Sequence, residues 1–140
     1  MAGETFHCSV VTPEKRIIDD DVKYVSMPAW DGQMGVEPGR AAALVRLGIG
    51  ALRLDFASGG THYYMVEGGF AQMLGDELTI LCDHAMPGEQ LVESDAEKEY
   101  EAAKEVEAKG DEAAIEAKMK AMQAAREKKR LVNLVGKRGI

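Results

Sequence analysis

The sequence contains few cysteines, few aromatic residues and no long apolar run. Aromatic residues make up 6% of its 140 residues, and its two cysteines are Cys8 and Cys82. Disulfides are uncommon in the cytosol, where we expect this protein to stay, so we expect both thiols to be reduced and buried in the core. A metal site built from His7, Cys8, Cys82 and His84 is conceivable. Their spacing matches no zinc motif, however, so core thiols are the preferred interpretation.

No stretch approaches 18 consecutive apolar residues, and no basic N-terminal segment precedes an apolar run. The sequence therefore predicts neither a membrane-spanning helix nor a secretory signal, and we expect a protein made and kept in the cytosol. The formal net charge is −7. Binding to nucleic acid needs a basic surface that neutralises phosphates, so this charge argues against a nucleic-acid partner.

Sequence motifs of catalysis are also missing. The chain contains no GxxxxGK[ST] phosphate loop, no GxSxG nucleophile turn and no HExxH zinc motif. We therefore assign no catalytic residue and no metal ligand. Asp19-Asp20-Asp21 could bind a hard cation, but neighbouring side chains on a strand point to opposite sides, so a solvated turn is the preferred interpretation.

The first 90 residues are typical of short strands joined by glycine turns. Runs of strand length rich in β-branched and aromatic residues occur at 6–12, 22–29, 43–57, 61–69, 70–76 and 77–83. Gly48 and Gly50 are expected to divide the longest run. Hairpin turns are predicted at Gly59-Gly60, Gly68-Gly69 and Gly75-Asp76. Because no helical pattern separates the strands, the sequence predicts an antiparallel β-sandwich or barrel.

Residues 91–140 are predicted to form a helical hairpin. Ser94-Asp95 is the predicted N-cap of a first helix, Lys109-Gly110 its C-terminal end, and Asp111 the N-cap of a second helix over 112–134. The predicted contact positions are Ala96, Tyr100, Ala103, Val106, Ile115, Met119, Met122, Leu131, Leu134 and Val135. Residues 93–112 carry nine acidic and three basic side chains, whereas residues 113–140 carry two and eight. We therefore expect an alanine-rich, loosely held hairpin in which an acidic helix faces a basic one.

The stretch WDGQMGVEPGRAA, residues 30–42, is the most distinctive part of the chain. It combines the turn residues DGQMG, a minimal strand MGV, and EPGR, in which proline before glycine is typical of a type II turn. Two tight turns around a short strand predict a rigid, exposed tip. No nucleophile or base lies in this tip, which favours recognition over catalysis. The alternative is that the segment only connects strands, with Trp30 covering the edge of the core.

These features together resemble the epsilon subunits of rotary F-type ATP synthases, which are called delta in mitochondria. The resemblance rests on FHCSVVTPEK, VSMPAWDGQMGVEPGRAAAL and VEGGFAQMLGDELTIL, followed by a two-helix tail, and it covers almost the whole chain. It implies an α+β fold, with an antiparallel β-sandwich of about ten short strands at 1–90 and a regulatory two-helix antiparallel hairpin at 91–140. It also implies a non-catalytic rotor subunit of the central stalk, which couples c-ring rotation to ATP synthesis and inhibits ATP hydrolysis through its helices.

The resemblance further implies partners and binding residues. The partners are the gamma subunit, the c-ring, and the alpha and beta subunits of the catalytic head, which the extended helices reach. The tip residues Trp30, Asp31, Gln33 and Arg40 are expected to dock on the c-ring, although many members have an acidic residue and a histidine where this chain has Gln33 and Arg40. The charges of the docking tip are therefore altered.

Some members bind ATP beside the first helix, and the corresponding weak candidates here are Glu89, Asp95, Lys98 and Arg126. Lysine replaces the family's arginine at position 98, and Glu99 replaces its alanine and would repel phosphates. We therefore expect no cofactor.

Two other functions remain open at this stage, a free-standing β-sandwich module that senses a small ligand or nucleotide, and a hydrolase. The absence of a visible transit segment predicts a peripheral protein on the cytoplasmic face of a bacterial plasma membrane, without insertion into the bilayer. A chloroplast location is the alternative.

Overall fold

The computed structural model describes residues 4–138, in which seven strands precede two helices. The strands are β1 (Phe6–Val11), β2 (Arg16–Ala29), β3 (Gly32–Val36), β4 (Ala43–Arg46), β5 (Ile49–Phe56), β6 (Thr61–Leu74) and β7 (Glu77–Pro87). A 3₁₀ turn (Gly88–Gln90) leads to α1 (Glu93–Glu105) and α2 (Glu112–Arg138). The predicted α+β class, a β-sandwich followed by a helical hairpin, is confirmed.

Three long strands take part in both layers of the sandwich. β2 pairs with β1 through its first half and with β3 and β5 through its second half. β6 similarly pairs first with β5 and then with β4, and β7 pairs with β6 from Tyr64 to Leu74. Because these strands continue from one layer into the other, seven strands occur where about ten short ones were expected. All pairings are antiparallel except that of β1 with β7.

β6 passes from one layer to the other at Gly68 and Gly69, where we predicted a hairpin turn. That prediction is wrong, because φ angles of 72° and 113° bend the strand without ending it. A Cβ atom on Gly69 would lie 1.9 Å from the carbonyl oxygen of Leu81. Between β4 and β5, the Leu47 N–H donates to the Gly69 carbonyl at 2.9 Å. The predicted break at Gly48 is therefore confirmed and lies at the same corner, whereas Gly50 lies inside β5.

The other glycine turns are confirmed. Gly59 and Gly60 lie in the turn between β5 and β6, and the Phe56 N–H donates to the Gly60 carbonyl at 3.0 Å. Gly75, with φ of 63°, and Asp76 form the two-residue hairpin between β6 and β7. Both turns need positive φ angles, which explains why glycine marks them.

The core lies between the two layers and consists of inward-facing strand residues. Its members are Phe6, Cys8, Val10, Val22, Val25, Met27, Val36, Leu47, Leu52, Leu54, Phe56, Val66, Ala71, Met73, Leu78, Ile80 and Cys82. The prediction of two buried, free thiols is confirmed. Burial raises the pKa of the Cys8 thiol to about 12 and that of the Cys82 thiol to about 11.

The helix boundaries differ from the prediction at α1. This helix begins at Glu93 after an extended Val92, so Ser94 and Asp95 lie in its first turn and form no side-chain cap. The predicted cap is wrong, although carboxylates in a first turn still favour the helix dipole. α1 also ends at Glu105, before the predicted Lys109-Gly110 end.

The N-cap of α2 is confirmed. The Asp111 carboxylate accepts hydrogen bonds from the backbone N–H groups of Ala113, at 3.0 Å, and Ala114, at 3.4 Å. α2 continues to Arg138, beyond the predicted end at residue 134. The hairpin is therefore asymmetric, with a second helix about twice as long as the first.

Alanines form the contact between the helices, as expected. Ala96, Ala103, Ala124 and Ala125 are buried, and so is Leu131. The predicted contacts through Val106, Ile115, Met119 and Leu134 are wrong, since these side chains are exposed. α1 ends before Val106, and the first turns of α2 extend past the end of α1, so Ile115 and Met119 have no helix opposite them.

Candidate docking surfaces

The predicted tip is formed by two turns that flank the edge strand β3. Trp30 and Asp31 form the turn between β2 and β3, slightly earlier than the predicted DGQMG turn. Pro38 and Gly39 form the second turn, in which Gly39 has a φ of 84° and the Arg40 N–H donates to the Glu37 carbonyl at 3.3 Å. This geometry confirms the type II turn. Trp30 is 69% exposed, so it does not cover the core.

The four predicted ring-docking residues are not equivalent. Trp30, Asp31 and Arg40 project from the turns and are exposed. The Gln33 amide instead donates to the Ser26 hydroxyl at 2.9 Å and to the Ala51 carbonyl at 2.8 Å. Both hydrogens of its amide group are thus used within the sheet. The tip presents an aromatic ring, a carboxylate and a guanidinium, while Gln33 fixes β3 to β2 and β5.

A groove runs beside this tip. Its volume is about 630 Å³, and it is lined by Tyr24, Gly35 and residues 37–43. A Cβ atom at Gly35 would lie 2.5 Å from the Tyr24 hydroxyl, so glycine lets the tyrosine ring lie across β3. Arg40 therefore borders a concave surface large enough for a loop of a partner protein.

The two helices carry opposite charges on their facing sides, as predicted. The Lys128 ammonium lies 3.0 Å from the Glu99 carboxylate, and the Lys129 ammonium lies 3.3 Å from that of Glu97. The Arg126 guanidinium lies over the Tyr100 ring, 5.9 Å from its centre. The two glutamates and Lys129 are about half exposed, whereas the Lys128 side chain is only 18% exposed. Solvent screens pairs with exposed partners, so each of these contacts contributes about 1 kcal/mol or less.

The structure does not gather the predicted ATP-binding residues around one cavity. A groove of about 430 Å³ between the helices is lined by Glu97, Tyr100, Glu101, Ala125, Arg126 and Lys129. Of the four predicted residues, only Arg126 lines it. Glu89 lies in the 3₁₀ turn, and Asp95 and Lys98 are exposed on α1. Two glutamates in the groove would repel a polyphosphate.

One outer face of the sandwich is covered by α2, which contacts β5, β6 and the 3₁₀ turn. Met65 lies on this face of β6, between the inward-facing Tyr64 and Val66, and is only 2% exposed. Leu131 of α2 is fully buried. The ammonium-bearing side chain of Lys128 lines a small cleft together with Met65 and Asp83. The hairpin is therefore packed on the sandwich and not only on itself.

The opposite outer face is not covered, and it exposes four large apolar side chains. Leu44 is 72% exposed, Phe70 52%, Leu74 63% and Leu81 53%. They lie on the neighbouring strands β4, β6 and β7, with Phe70 directly opposite Leu81 and Leu44 opposite Gln72. We call these four residues the apolar face. Several large apolar side chains exposed side by side are typical of an interaction surface.

A polar cluster lies at the β1–β2 end of the same outer face. The His7 ring is hydrogen-bonded to the carboxylates of Asp19 and Asp21, and the Arg16 guanidinium lies 3.1 Å from Asp19. Hydrogen bonds to Asp19 and then Asp21 raise the pKa of His7, and the bond to His7 lowers the pKa of Asp19. The predicted solvated turn at 19–21 is wrong, because these residues lie in β2 opposite Ser9, Cys8 and His7. An exposed strand face tolerates the charges.

The conceivable metal group at His7 and Cys8 is not assembled, because consecutive strand residues face opposite sides and only Cys8 points inward. Within residues 4–138, no group of three or more potential ligands could hold a metal ion. Neither α1 nor α2, as far as the structure describes them, has the length and the hydrophobicity of a membrane-spanning helix.

Comparisons with known proteins bear on these surfaces. Residues 5–88 match the family model described as ATP synthase, Delta/Epsilon chain, beta-sandwich domain. An ATP synthase epsilon chain of Rhodopirellula baltica is 42% identical over 94 residues, which are 67% of this chain and 73% of the relative. Another, from Granulibacter bethesdensis, is 38% identical over 120 residues, which are 84% of this chain and 89% of the relative.

Two solved structures share the fold. A chain in the cryo-EM structure of the Euglena gracilis mitochondrial ATP synthase, OSCP/F1/c-ring in rotational state 1, aligns with a TM-score of 0.80 at 22% identity, covering 88% of this chain and 78% of that one. A chain in the Tetrahymena thermophila mitochondrial ATP synthase central stalk/c-ring structure aligns with a TM-score of 0.65 at 16% identity, covering 90% and 95%.

Proposed function

This chain belongs to the delta/epsilon family of ATP synthase subunits, and we propose that it acts in the central stalk, where it couples rotation of the c-ring to ATP synthesis. In this role it is a rotor component without catalytic residues of its own. The apolar face carries the proposal, because a subunit that only sensed a free small ligand would have no use for it.

The apolar face binds the gamma subunit in this proposal. The helical hairpin already covers the other side of the sandwich, so a stalk partner has the uncovered side available. Burying four large apolar side chains stabilises a complex by about 1.5–3 kcal/mol for each side chain that becomes fully buried. Part of this gain is offset by the loss of translational and rotational freedom on association.

The tip docks on the c-ring. Arg40 borders the groove beside β3, and its guanidinium could form a two-pronged contact with a carboxylate on a ring loop. Trp30 and Asp31 extend the same contact, whereas Gln33 keeps β3 in register. A photo-crosslinking residue at position 40 should label the c-ring, with the same residue at position 115 as the control. Labelling only from position 115 would contradict this placement.

The hairpin regulates ATP hydrolysis. Residues 1–90 form the stalk-binding part, and residues 91–140 form a regulatory element that packs on it through α2, where Leu131 is buried. Small alanine contacts and ion pairs join the two helices of this element to each other. Such contacts are strong enough to hold one state and weak enough to be exchanged for contacts with the alpha and beta subunits. Removal of 91–140 should raise ATP hydrolysis by the assembled complex, and unchanged hydrolysis would argue against inhibition.

This function requires no bound nucleotide, and it places the protein at the cytoplasmic face of the bacterial plasma membrane as a peripheral subunit. Calorimetry with the isolated protein should detect no ATP binding at millimolar concentration. Binding in this range would instead favour the nucleotide-sensing alternative.

The decisive experiment measures binding to purified gamma subunit. Phe70→Glu and Leu81→Glu should each weaken binding at least about tenfold, because a carboxylate buried at an apolar interface loses its hydration. Ile115→Glu, which adds the same charge at an exposed apolar position on α2, should leave the affinity unchanged. Equal affinities of all variants and the wild type would overturn the proposal that the apolar face binds gamma.

A further inference from the structure

The His7 cluster lies on the same outer face as the apolar residues. On this face, Val11 of β1 lies beside Leu81 of β7, and His7 lies beside Glu77. β1 in turn pairs with β2, where Asp21 is opposite His7. The five strands β4, β6, β7, β1 and β2 therefore form one continuous surface, apolar at one end and charged at the other.

The size of this surface indicates that a partner must cover both ends. Five strands about 4.8 Å apart, with three outward residues each, make an area of roughly 300–400 Å². A protein–protein interface of standard size covers about 800 Å² on each partner. A partner centred on Phe70 and Leu81 therefore reaches across β1 to the His7 cluster.

The charge of the cluster depends on a single proton. Arg16, Asp19 and Asp21 carry one net negative charge when His7 is neutral and none when it is protonated. Glu77 faces His7 from β7 and adds a further negative charge. Protonation of His7 therefore always brings the cluster closer to neutrality, and the hydrogen bonds to Asp19 and Asp21 favour the protonated form. Burying an uncompensated charge is costly, whereas a compensated and hydrogen-bonded group can be covered more easily.

We propose that protonation of His7 controls the affinity of this outer face for the gamma subunit, with tighter binding when His7 is protonated. The inference rests on the proposed function, since gamma is the partner that covers the face. The apolar residues provide the attraction, and the cluster sets how much electrostatic cost accompanies their burial. One proton taken up on binding changes the dissociation constant by at most about tenfold per pH unit.

The test is a titration of full-length protein with purified gamma from about pH 6 to about pH 9, the range in which a histidine changes charge. We expect the dissociation constant of the wild type to rise about three- to tenfold across this range. His7→Gln should remove the part of this pH dependence that arises from His7. Any pH dependence of the dissociation constant that remains in the variant arises from groups on gamma. His84→Gln is the matched control, because His84 is exposed on β7 beside the cleft that Lys128 lines, and it should behave as the wild type.

The outcomes separate the two proposals. Identical pH profiles for wild type and His7→Gln, or tighter wild-type binding at high pH, would overturn the role of His7 while leaving gamma binding intact. No binding at any pH would overturn the proposed function and this inference with it. Circular dichroism of each variant across the pH range shows that an altered affinity does not arise from unfolding.

Discussion

The substitution Leu131→Ala should release the hairpin from the sandwich without unfolding the sandwich itself. Leu131 is fully buried and belongs to α2, outside the main core. Replacing a buried leucine by alanine costs about 2–5 kcal/mol, depending on how well the site can collapse. The helix can shift towards the sheet, so we expect about 2–3 kcal/mol. That cost corresponds to a decrease of about 30- to 150-fold in the ratio of docked to released hairpin.

Methionine oxidation provides an assay that distinguishes local release from global unfolding. Met65 is covered by α2, whereas Met27 lies inside the main core, and each is 2% exposed. In dilute peroxide, oxidation is slow compared with re-docking, so its rate is proportional to the released fraction. Leu131→Ala should therefore accelerate the oxidation of Met65, followed by mass spectrometry, by about 30- to 150-fold. Oxidation of Met27 should change by less than about threefold.

Leu134→Ala is the control, because it makes the same chemical change one turn further along α2 at a side chain that is 40% exposed. This substitution should lower the free energy of hairpin docking by less than about 1 kcal/mol, and the rate of Met65 oxidation should rise less than about fivefold. The reasoning would be refuted if the two variants oxidised Met65 at equal rates, or if Met65 and Met27 accelerated together. The first result would mean that Leu131 does not hold the hairpin, and the second that hairpin and sandwich unfold as one unit.

Three further predictions concern the sandwich. Gly69→Ala should lower the free energy of unfolding in urea by at least about 3 kcal/mol, because the new Cβ would overlap a backbone carbonyl. Gly59 has a similar φ but open space around it, so Gly59→Ala should lower this free energy by only about 1–2 kcal/mol. Equal losses in the two variants would disprove the steric explanation. Burial raises the pKa values of Cys8 and Cys82. Both thiols should therefore react with a thiol reagent at pH 8 no faster than the protein opens. Added urea should then accelerate the labelling, whereas added reagent should not. The pKa of His7 is raised in the folded state, so protonated His7 stabilises the fold below the ordinary pKa of 6.5, and this stabilisation is lost as the pH rises through the raised value. His7→Gln should therefore lower the free energy of unfolding at about pH 6 and have a smaller effect at about pH 9. A difference between variant and wild type that does not depend on pH would contradict the ion-pair explanation.

The turns that could be predicted from sequence are those whose chemistry is local. Pro38 and Gly39 specify a type II turn by themselves, and Gly75 supplies the positive φ of a two-residue hairpin. Gly68 and Gly69 have the same signature but serve a different purpose, because the strands on both sides of them are already paired with β7. Whether a glycine pair ends a strand or bends it is decided by partners far away in sequence. Local propensity cannot carry that information.

The helical hairpin was predictable in kind, but its contacts were predictable only in part. The alanine content and the separation of acidic residues into 93–112 and basic residues into 113–140 indicated an acidic helix facing a basic one, and the Glu99–Lys128 and Glu97–Lys129 pairs confirm it. Ala96, Ala103 and Leu131 are buried as predicted, whereas Val106, Ile115, Met119 and Leu134 are exposed. α1 ends at Glu105, so the apolar residues at the start of α2 have no helix opposite them, and helix length depends on packing as much as on pattern.

The apolar face was missed, although the sequence contains a signal for it. In a strand with one solvated face, apolar residues alternate with polar ones, whereas a strand covered on both faces is apolar throughout. The segments FAQML of β6 and LTILC of β7 have apolar residues at both odd and even positions, and only Gln72 and Thr79 in them are polar. Ala71 and Ile80 face the core, whereas Phe70 and Leu81 are left exposed by residues 4–138. A strand that is apolar on both sides in a sandwich with helices on only one face indicates a protein partner, and it does so independently of the more conspicuous tip at Trp30.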